Sequence, residues 1–190
     1  MKSHDSLLAA RITLAMLEQL PARDDGGHVV LVTSAMAGEG KSFVSRMLAH
    51  ESAQTTLGDI GLVSTGFIDA TMGTKLVDTS IHATRTPHLF YIPFSQEQRA
   101  DELYNATAVA AGIVALRARF QLSLIDGPVL ADCGALLTRV DAVLLVVDAG
   151  RTSPRQVRRA LSEAAVAPSD IAGVVLNHAP QPLPAWMGCD

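Results

Sequence analysis

The sequence predicts an α/β fold: a mostly parallel sheet with helices on both faces, in one domain spanning residues 1–190. Three observations predict it. Short apolar runs such as Val29–Val32 and Val143–Val147 alternate with longer helix-like segments along the chain, the pattern of repeated βαβ units. Apolar residues make up 48% of the chain but aromatics only 4%, so Ala, Val and Leu must build the core, a palette suited to strands covered on both faces. Finally, the first strand runs into a glycine-bearing turn followed by Lys41-Ser42 and a helix, and ligands of open parallel sheets sit beyond such strand ends.

The elements follow in order. Residues 5–20 read as an amphipathic helix, with Leu7, Leu8, Ile12, Leu14, Leu17 and Leu20 near helical spacing. Pro21 and the Asp24-Asp25-Gly26-Gly27 turn end it, so that 1–27 form an N-terminal helix and turn. A strand at 28–34, the glycine loop and a helix from Lys41 to Gln54 come next. Strands are expected at Ile60–Thr65 and His88–Pro93, then an alanine-rich helix over 97–119. Leu122–Asp126 reads as a strand ending in an acid, Ala142–Asp148 as a strongly apolar strand, Pro154–Ala165 as a helix and Ala172–Asn177 as the last strand. The proline-rich residues 180–190 read as an irregular tail.

The bulk numbers exclude several classes. A formal net charge of −4 argues against a general nucleic-acid binder. Cys133 and Cys189 form no C-x-x-C pair, which fits a reducing cytoplasm with neither a disulfide framework nor a zinc site. The six histidines are scattered, and His82 and His88 read as surface or loop residues. No run of about 18 apolar residues is present, so no membrane span is expected, and acids and polar residues interrupt the N-terminal apolar run, so no secretory signal is expected. Arg151, Arg155, Arg158 and Arg159 read as a solvated helix face, with anionic lipid or a partner as the alternative.

The chemistry concentrates in Val29–Ser42. Backbone N–H groups of Gly38, Glu39 and Gly40 and the start of the next helix can cradle phosphate oxygens. Lys41 can reach the terminal phosphates and Ser42 can ligate Mg²⁺. The general pattern is G-x-x-x-x-G-K-[ST], and Ala35 occupies its first glycine position. Asp126, before Gly127-Pro128, is the second piece, since an acid closing a buried strand beside the phosphates can hold Mg²⁺.

These segments resemble the cytoplasmic ATP-binding domain of the bacterial tyrosine kinases (BY-kinases) of capsular and exopolysaccharide synthesis, within the P-loop ATPases that include septum-site (MinD) and partition proteins. Thr33–Ser42 resembles the family's loop, which also lacks the first glycine; Ala37 stands in place of its proline, and Met36 where partition ATPases carry an extra lysine. Leu124–Pro128, Val143–Thr152 and Gly173–Asn177 resemble the later strands, and Asp132 and Asp141 fall where the family places acids. The resemblance implies ATP and Mg²⁺ as cofactors, Lys41 and Asp126 as catalytic residues, Ser42 and Asp126 as metal ligands, and Gly38, Glu39, Gly40, Lys41, Ser42, Phe43 and Asn177 around the nucleotide, with Asn177 reading adenine. It implies a role in exopolysaccharide or capsule biosynthesis, a membrane-embedded chain-length regulator as partner, recruitment to the inner face of the membrane, and homo-oligomers.

Three departures qualify the chemistry. Where the family has two acids after its second strand, this chain has Ser64-Thr65-Gly66, or, in a shifted register, Asp69 alone. The tail holds no tyrosine, and Asp5–Arg11 keeps only part of the family's assembly pattern. Kinase activity is therefore doubtful on this reading. The alternatives are an ATPase switch working by ATP-dependent dimerisation, or a non-catalytic scaffold of the export machinery.

Overall fold

Strand β1 (His28–Ser34) is buried along Val29–Ser34 because neighbouring strands flank it and helices cover both its faces. The computed structural model describes residues 11–13, 15–18, 20, 26–55, 58–64, 81–93 and 106–179. Besides β1, its strands are β2 (Ile60–Ser64), β3 (His82–Ala83), β4 (Leu89–Ile92), β5 (Leu122–Val129), β6 (Ala142–Asp148) and β7 (Ile171–Asn177). They form one sheet in the order β3-β4-β2-β5-β1-β6-β7. Every pairing is parallel except β3 with β4.

Among the described residues the sheet is covered by α1 (Lys41–Thr55), α2 (Ala106–Arg119) and α3 (Pro154–Glu163), together with the helical residues 11–13 and 15–18. Val44 and Leu48 of α1, with Met16 from the helical residues 15–18, pack on Val30, Val32, Leu122, Leu124 and Leu144. On the opposite face, Val109, Ile113 and Leu116 of α2 pack on Val29, Leu31, Val63 and Ile125. Ala160 and Leu161 of α3 cover Leu145 and Val147. Strands covered twice carry apolar residues at nearly every position, which is why β1 and β6 have the bounds their sequence predicts. Ser153 caps α3 together with Gln156, and Pro154 follows at the first helical position.

Several elements differ from expectation. β3 is a two-residue exposed strand on the outer edge of β4, too short to leave a period in the sequence. β5 does not end at Asp126: Gly127-Pro128-Val129 stay extended, and one extra residue in β5, a bulge in which Gly127 and Pro128 oppose Thr33, brings Val129 beside Ser34. A Cβ on Gly127 would lie 2.5 Å from the Leu31 side chain, so the glycine here serves close strand packing instead of a turn. Two short 3₁₀ turns, Leu130–Asp132 and Gly134–Leu136, follow. The expected helical residues 5–10 and 97–105, Asp69 and the tail 180–190 lie outside the described residues.

The end of the sheet away from the glycine loop is held by charge. Asp141 accepts the Val29 N–H at 2.8 Å and Arg117 Nη2 at 2.7 Å, tying the start of β6 to β1 and α2. Asp59 pairs with Arg119 at 2.9 Å and with His88 Nδ1 at 3.1 Å, and the Arg119 guanidinium lies over the Phe90 and Phe120 rings. Arg119 first, then His88, hold the Asp59 carboxyl below its usual value of 3.8. A depressed folded-state pKa means stability that is present above the unfolded value and lost as pH falls through the folded one. Asp59→Asn is therefore expected to lower the thermal midpoint at neutral pH, with the gap from wild type closing below a pH of about 4. Melts across pH 3–7 check this; a gap that stays constant through the acid range would contradict it.

Candidate nucleotide-binding site

The loop Ala35–Gly40 joins β1 to α1 at the carboxyl end of the parallel strands. Gly38 and Gly40 have φ of +81° and +86°, conformations open to glycine and costly for other residues. The N–H groups of Phe43 and Val44 both reach the Gly40 carbonyl at 3.0 Å. The Phe43 N–H is thus spent on the helix turn, and its exposed ring is what remains for a ligand. Lys41 and Ser42, at the very start of α1, have no intrahelical acceptor for their N–H groups.

The loop is held in shape by its own side chains. Ser34 Oγ donates to the Met36 carbonyl at 2.7 Å, and Thr33 Oγ to the Pro128 carbonyl at 2.7 Å. Glu39, only 2% exposed, accepts the Met36 N–H at 2.7 Å and the Asp148 N–H at 3.1 Å. Its carboxylate is therefore an internal brace that fixes the loop to β6, a role its sequence position does not reveal. Asn177 Nδ2 donates to the Glu39 carbonyl at 2.9 Å and so fixes the same loop to β7. A Cβ on Gly40 would lie 2.2 Å from that nitrogen.

A polar row crosses the sheet beneath this loop. On the α1 face the apolar positions Leu62, Leu124, Val146 and Val175 are each followed two residues later by Ser64, Asp126, Asp148 and Asn177. A strand's period of two puts all four on that face. Ser64 and Asp126 are register partners, as are Asp148 and Asn177. Asp148 Oδ1 accepts the Gly150 N–H at 3.0 Å, and Oδ2 lies 3.0 Å from His178 Nδ1. His178 is the main reason the Asp148 carboxyl lies below its ordinary range.

Asp126 is different. Among the described residues its buried Oδ1 has no hydrogen-bond partner, and the same holds for Ser64 Oγ beside it. Buried polar atoms are almost always satisfied, so the pair suits a cation or water at that point. The structure thus brings Gly38, Glu39, Gly40, Lys41, Ser42, Phe43, Asp126 and Asn177 to one edge of the sheet. A Mg²⁺-bound phosphate chain fits these residues: two left-handed glycines, a helix start with Lys and Ser, and a buried carboxylate oxygen in want of a partner. Sequence reasoning gives His178 no role, and Ser64 enters it only as the residue standing where the family has acids; the signal that marks Ser64 and Asp148 is that each is the first polar residue to close an apolar run. An open cleft of about 110 Å³ lies outside the loop, between Met36-Ala37 and Asp148, Arg151 and Gln156.

No family model matches the chain. A protein of Ralstonia solanacearum named as a tyrosine-protein kinase, EpsB, is 26% identical over 91% of this chain and 26% of that protein. The succinoglycan biosynthesis transport protein ExoP of Rhizobium meliloti is 28% identical over 79% of this chain and 22% of that protein. The chain thus spans about a quarter of the length of these relatives. The VpsO kinase domain shares 25% identity and a TM-score of 0.70, over 94% of this chain and 98% of that one. The chain is a BY-kinase-like P-loop domain. Partition and septum-site ATPases share the fold of this BY-kinase-like domain at lower similarity, with TM-scores of 0.61 for a ParA-family ATPase of Chlorobium tepidum and 0.55 for MinD of Pyrococcus horikoshii. In the BY-kinase-like domain, none of the described helices is long and apolar enough to cross a membrane.

Proposed function

We propose that this BY-kinase-like domain binds Mg-ATP and serves exopolysaccharide or capsule biosynthesis. Asp126 carries the reading: its orphaned, buried Oδ1 stands at the sheet edge where the Lys41-Ser42 helix start and the braced glycine loop converge. In this account Gly38–Gly40 donate backbone N–H groups to phosphate oxygens, Lys41 neutralises the terminal phosphates, and Ser42 and Asp126 hold Mg²⁺. Asn177, having committed one amide N–H to Glu39, offers its remaining amide atoms to the adenine edge, and the exposed Phe43 ring lies at the mouth of the same site.

Phosphoryl transfer to tyrosine is a separate matter. A base for the acceptor hydroxyl typically contributes about 10²–10⁴-fold, and β2 ends here in Ser64, a hydroxyl that cannot take that role at neutral pH. Binding with slow or absent phosphotransfer is therefore the expected behaviour. The fitting setting is the inner face of the membrane, on a membrane-embedded chain-length regulator. The regulator and the membrane setting are carried over from the BY-kinase resemblance; the name of ExoP, a succinoglycan biosynthesis transport protein, supports the polysaccharide role alone.

Titration with ATP, with and without Mg²⁺, tests the reading alongside assays for ATP turnover and phosphotyrosine. Asp126→Asn is expected to weaken the Mg²⁺ dependence by about 10–100-fold with little loss of fold. An unchanged Mg²⁺ response in that variant would remove Asp126 from the metal site.

A further inference from the structure

We propose that Arg151 is a second phosphate-binding cation of this site, reaching the nucleotide's phosphate chain from the turn after β6. The inference rests on the Mg-ATP reading above and deepens it.

The turn that carries Arg151 is tied down by hydrogen bonds. The N–H groups of Arg151 and Thr152 both donate to the Asp148 carbonyl, at 3.1 and 2.9 Å, and the Ala149 N–H donates to the Asn177 carbonyl at 2.9 Å. Asp148 Oδ1 holds the Gly150 N–H at 3.0 Å. From this base the guanidinium extends over the loop: Arg151 Nη1 lies 3.8 Å from where a Cβ on Gly38 would be. Gly38 leaves that space open. The side chain also lines the cleft outside the loop, opposite Met36 and Ala37.

Among the described residues the Arg151 side chain makes no hydrogen bond or ion pair. The nearby carboxylates are engaged elsewhere. Asp148 is held by His178 and Gly150, and feels Arg151 only through its field. Glu39 is spent on the Met36 and Asp148 N–H groups. Both acids nonetheless place negative charge against the loop, and Glu39 does so from a buried position, where charges are weakly screened. A triphosphate adds more negative charge at the same point. Beside Lys41 and the Mg²⁺ of that reading, Arg151 is a further preplaced cation whose planar fork suits phosphate oxygens.

The test compares wild type, Arg151→Ala, Arg151→Lys and Lys41→Ala, titrated with Mg-ATP and, separately, with inorganic triphosphate. Arg151 is exposed, so the variants are expected to melt like wild type, which thermal unfolding checks. Arg151→Ala should weaken both ligands by about tenfold, the equivalent of a single charge-assisted contact. Arg151→Lys should recover part of the loss, as a point charge without the fork. The loss in the alanine variant should shrink at high salt. If wild type binds and Lys41→Ala does not, while Arg151→Ala stays within twofold of wild type, the Arg151 assignment is wrong and the Mg-ATP reading survives. If wild type itself binds neither ligand, the Mg-ATP reading falls and Arg151 falls with it.

Discussion

Asp141→Ala is expected to lose about 3–5 kcal/mol of folding stability, the range for breaking a buried ion pair from one side. The Asp141 side chain is 4% exposed and that of Arg117 18%. Removing the carboxylate takes the counter-charge from the Arg117 guanidinium, whose Nη2 and Nε reach it at 2.7 and 3.4 Å, and leaves it the Arg139 carbonyl at 3.2 Å. It also leaves the Val29 N–H, now 2.8 Å from Oδ2, without an acceptor in a buried strand. An unsatisfied buried donor alone costs about 1–3 kcal/mol. The charge sits at the far end of the sheet from the loop, so any surviving folded protein should keep its nucleotide affinity. Urea unfolding measures the loss; a change under 1 kcal/mol would mean that water replaces the carboxylate freely and that the staple between β1, β6 and α2 is dispensable.

Gly40→Ala is expected to have the largest effect on the site itself. At φ of +86° an L-residue carries a cost of about 1–2 kcal/mol. The added methyl would also lie 2.2 Å from Asn177 Nδ2, forcing that amide away from the Glu39 carbonyl. The loop then loses its tie to β7, and its N–H groups lose their common aim. Mg-ATP affinity should fall by at least about tenfold, which corresponds to about 1.4 kcal/mol, with a smaller drop in thermal midpoint. Adding Asn177→Ala to Gly40→Ala removes the clash but not the strain, so the double variant should regain part of the stability and little of the affinity. Wild-type binding by the single variant would show that the loop's shape is not set by Gly40 and Asn177.

What the sequence discloses follows from range. β1 and β6 are legible because a strand buried on both faces needs apolar residues throughout, and Lys41, Ser42 and Asp126 because each belongs to a short local pattern. The end of β5 is misread for the same reason in reverse. Asp126-Gly127-Pro128 has turn chemistry, yet the chain stays extended because β5 takes up the extra residue as a bulge against β1 and Gly127 fits under Leu31. The braces of the loop are not legible at all. Glu39 reaches the Asp148 N–H across 109 positions, and Asn177 reaches the Glu39 carbonyl across 138. No local pattern encodes such contacts; they exist only once β6 and β7 lie beside β1. The family resemblance implies adenine contact for Asn177, and the fold gives this residue a bond to the loop.

Binding of a Mg²⁺-bound triphosphate by the braced loop, with Lys41 at the helix start, is tested by calorimetric titration of the wild type and of Lys41→Ala with Mg-ATP. Saturable binding by the wild type and a loss of at least about tenfold in the variant are expected, with both proteins melting at the same temperature. No heat of binding from folded wild type at millimolar Mg-ATP, or equal affinity in the two proteins, would contradict it.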